Sequence, residues 1–383
     1  MSTIRYLGYF DFQDSNVQRN YPLACTNKME SIAESIIEAG YNVEIISTAV
    51  GVNDRFFIAS GETIRKSDKL SARFFPTLGG KNRILRAIRR VISDICLLKF
   101  LLFELKKREP LIVYHSFGFR NILIWAKKIR KFQLILELEE IYHDVLPMSE
   151  KAKRWELETI SLADAYLFPT ELLNKKFNIG QKPYGIILGT YHVEPQITQQ
   201  ENDGKIHVVY AGTFDPRKGG ALSAAAAAAE LPDNYVFHIC GFGSKEETDA
   251  IIKMVDDINL KHPGKAVFHG TLKGREYISL LQKCHIGLST QNPEASFNAT
   301  SFPSKILSYM ANGLEVVTVD IPAVSESRIG SYLHYYHIQE PKRIAEAICN
   351  VKLGVNDARK IIGQLYNDFV SEIGTLLKNT DLQ

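Results

Sequence analysis

Residues 301–313 read Ser301-Phe302-Pro303-Ser304-Lys305-Ile306-Leu307-Ser308-Tyr309-Met310-Ala311-Asn312-Gly313. Pro303 suits the first turn of a helix, where its fixed φ is already helical and its missing N–H costs nothing. Ser301 fits the N-cap and Gly313 the stop after the last turn. A lysine in the first turns opposes the helix dipole, which favours anions at that end. Lys305 makes sense there if an anion such as a phosphate sits in front of it. The next residues, Glu315–Val319, read as a buried strand, so the segment is loop, anion-facing helix, strand.

The same alternation runs outward from this segment. The second half predicts strands at 206–211, 235–240, 266–269 and 286–289, and helices at 219–230, 245–260 and 275–283. A closing amphipathic helix is expected at 357–377. The first half predicts strands at 4–9, 43–47, 111–115, 133–138 and 165–169, with helices at 24–39, 81–107, 120–130 and 150–163. This order argues a doubly wound parallel sheet in each half. Residues 191–205, with Pro195, Gln196, Gln199, Gln200, Asn202 and Gly204, are polar and linker-like. The domains are therefore expected at 1–190 and 205–355, with a last helix in 356–383.

A chain of 383 residues is long enough for two sizeable cores. Its net charge of +3 is too small for composition to argue nucleic-acid binding. The five cysteines are odd in number and form no CxxC pair, which suggests reduced thiols rather than a disulfide framework or zinc site. The first strand starts almost at once and no apolar run is long and uncharged enough to span a bilayer, so a cytoplasmic location is expected.

Several strand ends carry candidate chemistry. In Tyr210-Ala211-Gly212-Thr213-Phe214-Asp215-Pro216-Arg217-Lys218-Gly219-Gly220, a buried strand gives way to a glycine turn, a basic pair and an alanine-rich helix. Gly212 would let backbone approach a diphosphate and Lys218 would neutralise it. A plain surface βα loop is the alternative reading. Gly241-Phe242-Gly243 ends the next strand and reads equally well as an ordinary tight turn. In the first half, His115 and the carboxylates Glu137, Glu139 and Glu140 end two strands. Alternation puts Glu137 and Glu139 on one side and Glu140 on the other. A carboxylate there could orient a hydroxyl or act as a base; solvated loop charges are the alternative. Lys81, Arg83, Arg86, Arg89 and Arg90 sit among isoleucines in one helical region. That pattern describes either a helix lying on an anionic membrane surface or an outer helix with a solvated basic face.

The FPSK…YMA.G stretch at 302–313 resembles the donor-site segment of GT-B glycosyltransferases of the family 4 type (glycosyl transferases group 1). It is closest to a branch common in bacterial surface polysaccharide assembly. The resemblance is specific over about 206–320 and architectural elsewhere. It implies two Rossmann-like domains facing across a cleft, with the C-terminal helix returning to the first domain. It implies transfer of a sugar from a nucleotide diphosphate sugar, UDP- or GDP-type, to a hydroxyl of a glycan or lipid-linked acceptor. The anomeric configuration would be retained, with neither cofactor nor metal; no Asp-x-Asp pair occurs in the chain. Donor residues carried over are Gly212, Thr213, Arg217, Lys218, Gly241, Gly243, Gly270, Leu272, Ser301, Phe302, Pro303, Ser304 and Lys305. His115 is carried over as a catalytic residue of the acceptor side, and Glu139, read from its place at the strand end, is expected to act beside it. Three departures matter. Thr213 stands where arginine is frequent, so Lys218 with Lys305 or Arg217 must carry the phosphate charge. Thr300 and Ser308 stand where two glutamates are common, with Glu294 nearby as a substitute. No glycine-rich loop follows the first strand. A nucleotide-sugar epimerase of the same architecture, or a non-catalytic partner binding glycan or nucleotide, remain the rival readings.

Overall fold

The computed structural model describes residues 2–12, 17–52, 55–139, 141–215, 220–295, 298 and 301–381. The chain divides into a unit of Met1–Thr190 with Asn367–Gln383 and a unit of Tyr191–Tyr366.

In the first unit the strands are β1 (Thr3–Gly8), β2 (Asn42–Ser47), β3 (Ile58–Ala59), β4 (Glu62–Arg65), β5 (Leu70–Phe74), β6 (Thr77–Leu78), β7 (Pro110–Tyr114), β8 (Gln133–Glu137), β9 (Ala165–Phe168) and β10 (Tyr184–Ile186). Its helices are α1 (Leu23–Glu38), α2 (Arg83–Lys99), α3 (Arg120–Arg130), α4 (Tyr142–Val145), α5 (Glu150–Ser161) and α6 (Glu171–Phe177). Eight strands form one sheet in the order β10-β9-β8-β7-β1-β2-β5-β4. All its pairs are parallel except β4 with β5. The central strands carry unbroken apolar runs, Leu111-Ile112-Val113 and Leu134-Ile135-Leu136, as strands covered on both faces must. The order in which strands are added reverses between β1 and β7, so their carboxyl ends flank a topological switch point. No strand is predicted over β3–β6. β3 and β6 are two residues each and β4 is largely exposed; β5 does alternate, with Leu70, Ala72 and Phe74 buried, and is a strand that the reading missed. Helix α2 runs on into a π-helical turn, Phe100–Glu104.

In the second unit the strands are β11 (Ile206–Thr213), β12 (Tyr235–Phe242), β13 (Ala266–Phe268), β14 (Ile286–Ser289), β15 (Glu315–Val319) and β16 (His334–Tyr336). The helices are α7 (Gly220–Glu230), α8 (Lys245–Lys261), α9 (Gly274–Lys283), α10 (Lys305–Ala311), α11 (Pro322–Ser325) and α12 (Pro341–Cys349), and α13 (Ala358–Asp381) closes the chain. The six strands pair in parallel in the order β13-β12-β11-β14-β15-β16. Renumbered from one, this is the 3-2-1-4-5-6 order of a dinucleotide-binding sheet, with its switch point between β11 and β14. From Asn367 onward α13 packs with the first unit: Phe369, Ile373 and Leu377 are fully buried and Gly374 lies against Ala39.

Candidate functional site

The second unit gathers its motif residues at the switch point. Strands β11 and β12 run in register as far as Gly212↔Gly241 and Thr213↔Phe242. A Cβ on Gly241 would stand 1.9 Å from the Gly212 carbonyl oxygen, so this crossing admits only glycine. Gly220, at the start of α7, is as tightly held. Its carbonyl accepts from Thr290 Oγ1 at 2.7 Å, and a Cβ there would meet the Thr290 carbonyl at 2.4 Å. The N-terminus of α7 is thereby fixed against the end of β14. Arg217, Lys218 and Gly219, which precede α7 in the chain, lie outside the described residues.

Helix α10 supplies the cation. It starts at Lys305, after Pro303 rather than on it, and Ser304 rather than Ser301 takes the N-cap position. Ile306 N–H bonds the Pro303 carbonyl at 3.0 Å in a tight first turn, which places the proline and Ser301 outside the helix. Ser304 makes no side-chain cap bond. Phe302 is buried. The Lys305 ammonium lies 4.1 Å from the centroid of the Tyr210 ring. It is also 2.9 Å from where a Cβ on Gly212 would be. Lysine, glycine turn and aromatic face thus converge at the end of β11. Gly313 stops the helix with φ +89°, as its sequence position demands.

One residue holding this arrangement escaped the sequence reading. Tyr309 is fully buried; its hydroxyl accepts from Ala211 N–H at 2.8 Å and lies 3.3 Å from the carbonyls of Ala211 and Leu288. It stitches α10 to β11 and β14 and packs on Gly287, where any Cβ would strike its ring. Ser308 faces Tyr277 of α9 at 3.3 Å. Thr300 lies outside the described residues, and Glu294 is exposed on the loop before it.

The Gly241–Gly243 turn proves to be a helix entry. Ser244 caps α8 in a full capping box: its hydroxyl accepts from Glu247 N–H, and the Glu247 carboxylate accepts from Ser244 N–H at 2.6 Å. That carboxylate already occupies the positive end of α8. The Ser244-x-x-Glu247 spacing was the signal for it. Gly270 adopts φ +65°, and its carbonyl accepts from Gly241 N–H at 2.9 Å. Thr271 Oγ1 donates to the Gly241 carbonyl at 3.1 Å, and the Leu272 backbone bonds the Cys240 thiol. The two loops form one tied rim.

Beneath that rim runs a file of histidines. His207 Nδ1 is 2.8 Å from His238 Nε2, and His238 Nδ1 is 2.9 Å from His269 Nε2. Asp203 bonds the outer end through His207 Nε2 at 3.1 Å, and the His285 ring accepts from His207 N–H. Burial pushes the His238 imidazole down to about 3, with His269 and His207 adding to the shift. Burial lowers His269 and His285 as well.

In the first unit the carboxylates at the β8 end point inward. Glu137 is wholly buried and takes a hydrogen bond from the Tyr6 hydroxyl. Burial, then the nearby Glu139, drives its carboxyl well above the usual range, while Lys28 opposes. Glu139 pairs with Lys28 at 2.5 Å, and Lys28 also donates to the Ile187 carbonyl at 3.1 Å. Glu140 lies outside the described residues. His115 is 2% exposed, its ring stacked on Tyr142 at 5.0 Å, and its carbonyl accepts from the Tyr142 hydroxyl. His115 does end its strand, and the α4 segment covers it. Glu156 of α5 holds that segment, accepting from Tyr142 N–H at 2.7 Å and bonding His143 Nδ1 at 2.6 Å. Arg19 is buried between Asp11 and Glu62 over the Phe74 ring.

The ends of β1 and β2 open instead into a cavity of about 300 Å³ lined by Tyr9, Asn20, Pro22, Thr48, Val50, Arg90, Ser93, Asp94 and Phe119. Tyr9 and Phe119 stack at 5.0 Å as one aromatic wall. Arg90 and Asp94 face each other at 3.8 Å on another. The size is at the lower end of small-molecule sites, about 300–1,000 Å³.

Residues 205–352 match the family model described as Glycosyl transferases group 1. No curated protein matches the chain in sequence. Solved structures share the fold over its whole length. An α,α-trehalose-phosphate synthase (UDP-forming) from Burkholderia xenovorans, solved with glucose-6-phosphate, is 11% identical with a TM-score of 0.68, covering 100% of both chains. A sucrose-phosphate synthase from Thermosynechococcus elongatus is 13% identical with a TM-score of 0.69, covering 99% of both. An Anabaena protein solved with UDP and glucose is 11% identical with a TM-score of 0.59, covering 99% of this chain and 100% of its own. The fold is GT-B, and the second unit carries a glycosyl transferases group 1 domain.

Proposed function

We propose that this chain, a glycosyltransferase by its group 1 domain and its GT-B fold, moves a sugar from a nucleoside diphosphate donor to a hydroxyl of a glycan or lipid-linked acceptor. The observation that carries the reading is Lys305 poised over Gly212 and Tyr210 at the switch point of the second sheet. A diphosphate there meets a lysine, a turn without side chain and the N-terminus of α7, which together take up charge as the leaving group departs. Lys218 and Arg217, which precede α7 in the chain and lie outside the described residues, are expected to add charge for the same diphosphate. The rim of Gly241, Gly243, Gly270 and Leu272 receives the base through its backbone. The donor is a UDP- or GDP-sugar, and charge on the leaving diphosphate is balanced by lysines and helix ends rather than a metal. The same reading has transfer with retention, and the resemblance of the FPSK stretch supports a role in surface polysaccharide assembly.

On the first unit the aromatic wall and the Arg90–Asp94 pair suit one sugar ring of the acceptor, since a flat apolar face and a donor–acceptor pair match a ring's two kinds of surface. Glu139, held by Lys28, positions or deprotonates the acceptor hydroxyl, and His115 backs the same sheet edge. Incubation with UDP- or GDP-sugars and a glycan acceptor tests the proposal. Acceptor-dependent release of nucleoside diphosphate is expected. Isomerised free sugar nucleotide would make the protein an epimerase, and binding without turnover a non-catalytic partner.

A further inference from the structure

Helix α2 is packed the opposite way from an ordinary outer helix. Its buried residues are Arg89, Ser93 and Leu97. Ile84, Ile88, Val91 and Ile95 are 42–66% exposed. At 3.6 residues per turn the two sets lie on opposite sides of the helix, so the apolar stripe is the outward one. The inward face is polar for local reasons. Arg89 donates towards the Leu78 and Gly80 carbonyls, and Ser93 Oγ donates to the Thr48 carbonyl at 3.3 Å. Scattered exposed apolar side chains are normal, but a continuous row over three turns, about 16 Å long, is not. The adjoining α3 exposes Trp125 and Ile129, and the π-helical turn exposes Phe103.

The charge around the stripe has one sign. Residues 83–99 hold five basic residues against Asp94 alone. Arg83, Arg86, Arg90 and Lys99 are exposed, as are Lys128 and Lys131 at the end of α3. Among the described residues no helix is long and apolar enough to cross a membrane. An apolar stripe flanked by exposed cations matches the surface of an anionic bilayer, with side chains entering the acyl boundary and guanidinium groups at the phosphates. A tryptophan beside it suits that boundary as well.

We propose that the outward face of α2, centred on Ile88 and Val91, docks the first unit onto an anionic lipid surface. The inference stands on this face alone. Where it meets the acceptor reading, it adds that the cavity lined by Arg90, Ser93 and Asp94 of the same helix lies within a helix diameter, about 10 Å, of the lipid. A lipid-borne acceptor is then the substrate class the site is placed to take.

Co-sedimentation of the full chain with phosphatidylcholine vesicles, with and without phosphatidylglycerol, tests this. Binding should require the anionic lipid and weaken with salt. The double substitution Arg83→Glu/Lys99→Glu, at the exposed cations on either side of the stripe, should lower the partition coefficient at least about tenfold. Ile88→Glu/Val91→Glu should abolish binding while leaving thermal unfolding and nucleotide affinity unchanged, because both side chains already face solvent. Three results would overturn the proposal. One is no binding to anionic vesicles. Another is binding that survives Ile88→Glu/Val91→Glu. The third is a concentration-dependent dimer, seen by light scattering and lost in that variant, which would give the face to a second copy of the chain. Nucleotide affinity, read separately, shows whether the donor assignment stands or falls independently.

Discussion

The two units use one strand order and treat their strand ends in opposite ways. At its switch point the second unit removes side chains: Gly212, Gly220 and Gly241 leave backbone bare, and Lys305 enters from a helix start. At the corresponding edge the first unit fills the space. Tyr6, Lys28, Glu137 and Glu139 bond one another, and His115 is covered by Tyr142. A sheet edge that admits a ligand's phosphates needs backbone in reach and positive charge. An edge stabilised by buried carboxylates resists desolvated anions. To one side, at Tyr9 and Thr48, the first unit opens into a cavity. The difference is what the proposed division of labour rests on: diphosphate chemistry in one unit, a neutral hydroxylated ring in the other.

The most severe way to break this contrast is to give the donor edge a side chain. Gly241→Ala sets a methyl 1.9 Å from the Gly212 carbonyl, backbone against backbone, so the paired strands must separate. We expect a loss of about 3 kcal/mol or more, at the upper end of overpacking costs. Chemical denaturation would measure it; a loss under 1 kcal/mol would mean that β11 and β12 do not cross this closely.

Next in size is Lys305→Ala. A lost charge-assisted contact should weaken nucleoside diphosphate binding by about 1.5–3 kcal/mol with stability nearly unchanged. Gly212→Ala should act in the same direction by a different route, because its Cβ would displace the ammonium, the mobile end of a long side chain. Calorimetric titration reads both. Equal affinity in wild type and Lys305→Ala would remove the anion-site reading of the second unit.

The buried titrating groups should make the two units respond to pH with opposite slopes. His238 is held neutral by burial, down to about 3 from an unfolded value near 6.5. Between those values the unfolded chain binds the extra proton, so the second unit loses stability as pH falls below about 6.5. Glu137 is raised by burial, so above the ordinary carboxylate range the native state holds the extra proton, and the first unit loses stability as pH rises towards its folded value. Each titrating group adds at most about 1.4 kcal/mol per pH unit, and His269 and His285, lowered as well, add to the acid slope of the second unit. Hydrogen exchange in β12 and β8, corrected for intrinsic rates, separates the units. Glu137→Gln should remove the alkaline slope in β8 and leave the acid slope in β12. Parallel slopes in both strands would end the contrast.

Much of this was legible in sequence. Apolar runs named the sheet strands, and glycines with Pro303 and Lys305 marked where the second unit leaves its backbone open. Three things were not. Amphipathic spacing in α2 located two faces but could not say which one is buried, since that depends on carbonyls of Leu78, Gly80 and Thr48 brought in by the fold. The histidine file joins residues some thirty apart, and only the register of β11, β12 and β13 lines them up. The role of Tyr309 is equally non-local: its hydroxyl satisfies backbone 98 residues upstream.

The smallest expected effect concerns Ser308 and sharpens what the donor edge lacks. Its hydroxyl meets Tyr277 at 3.3 Å, a long contact between two half-buried groups. Ser308→Ala should therefore cost about 0.5–1 kcal/mol of stability, the worth of one ordinary hydrogen bond. Because that hydroxyl is turned to α9, donor KM and kcat should stay within about twofold of wild type. The position where related enzymes commonly place a glutamate would then be a packing position in this chain, with the sugar held from elsewhere on the edge. A tenfold fall in kcat with stability intact would instead show that the Ser308 hydroxyl leaves Tyr277 for the donor. The second unit would then use a neutral hydroxyl where a carboxylate is common.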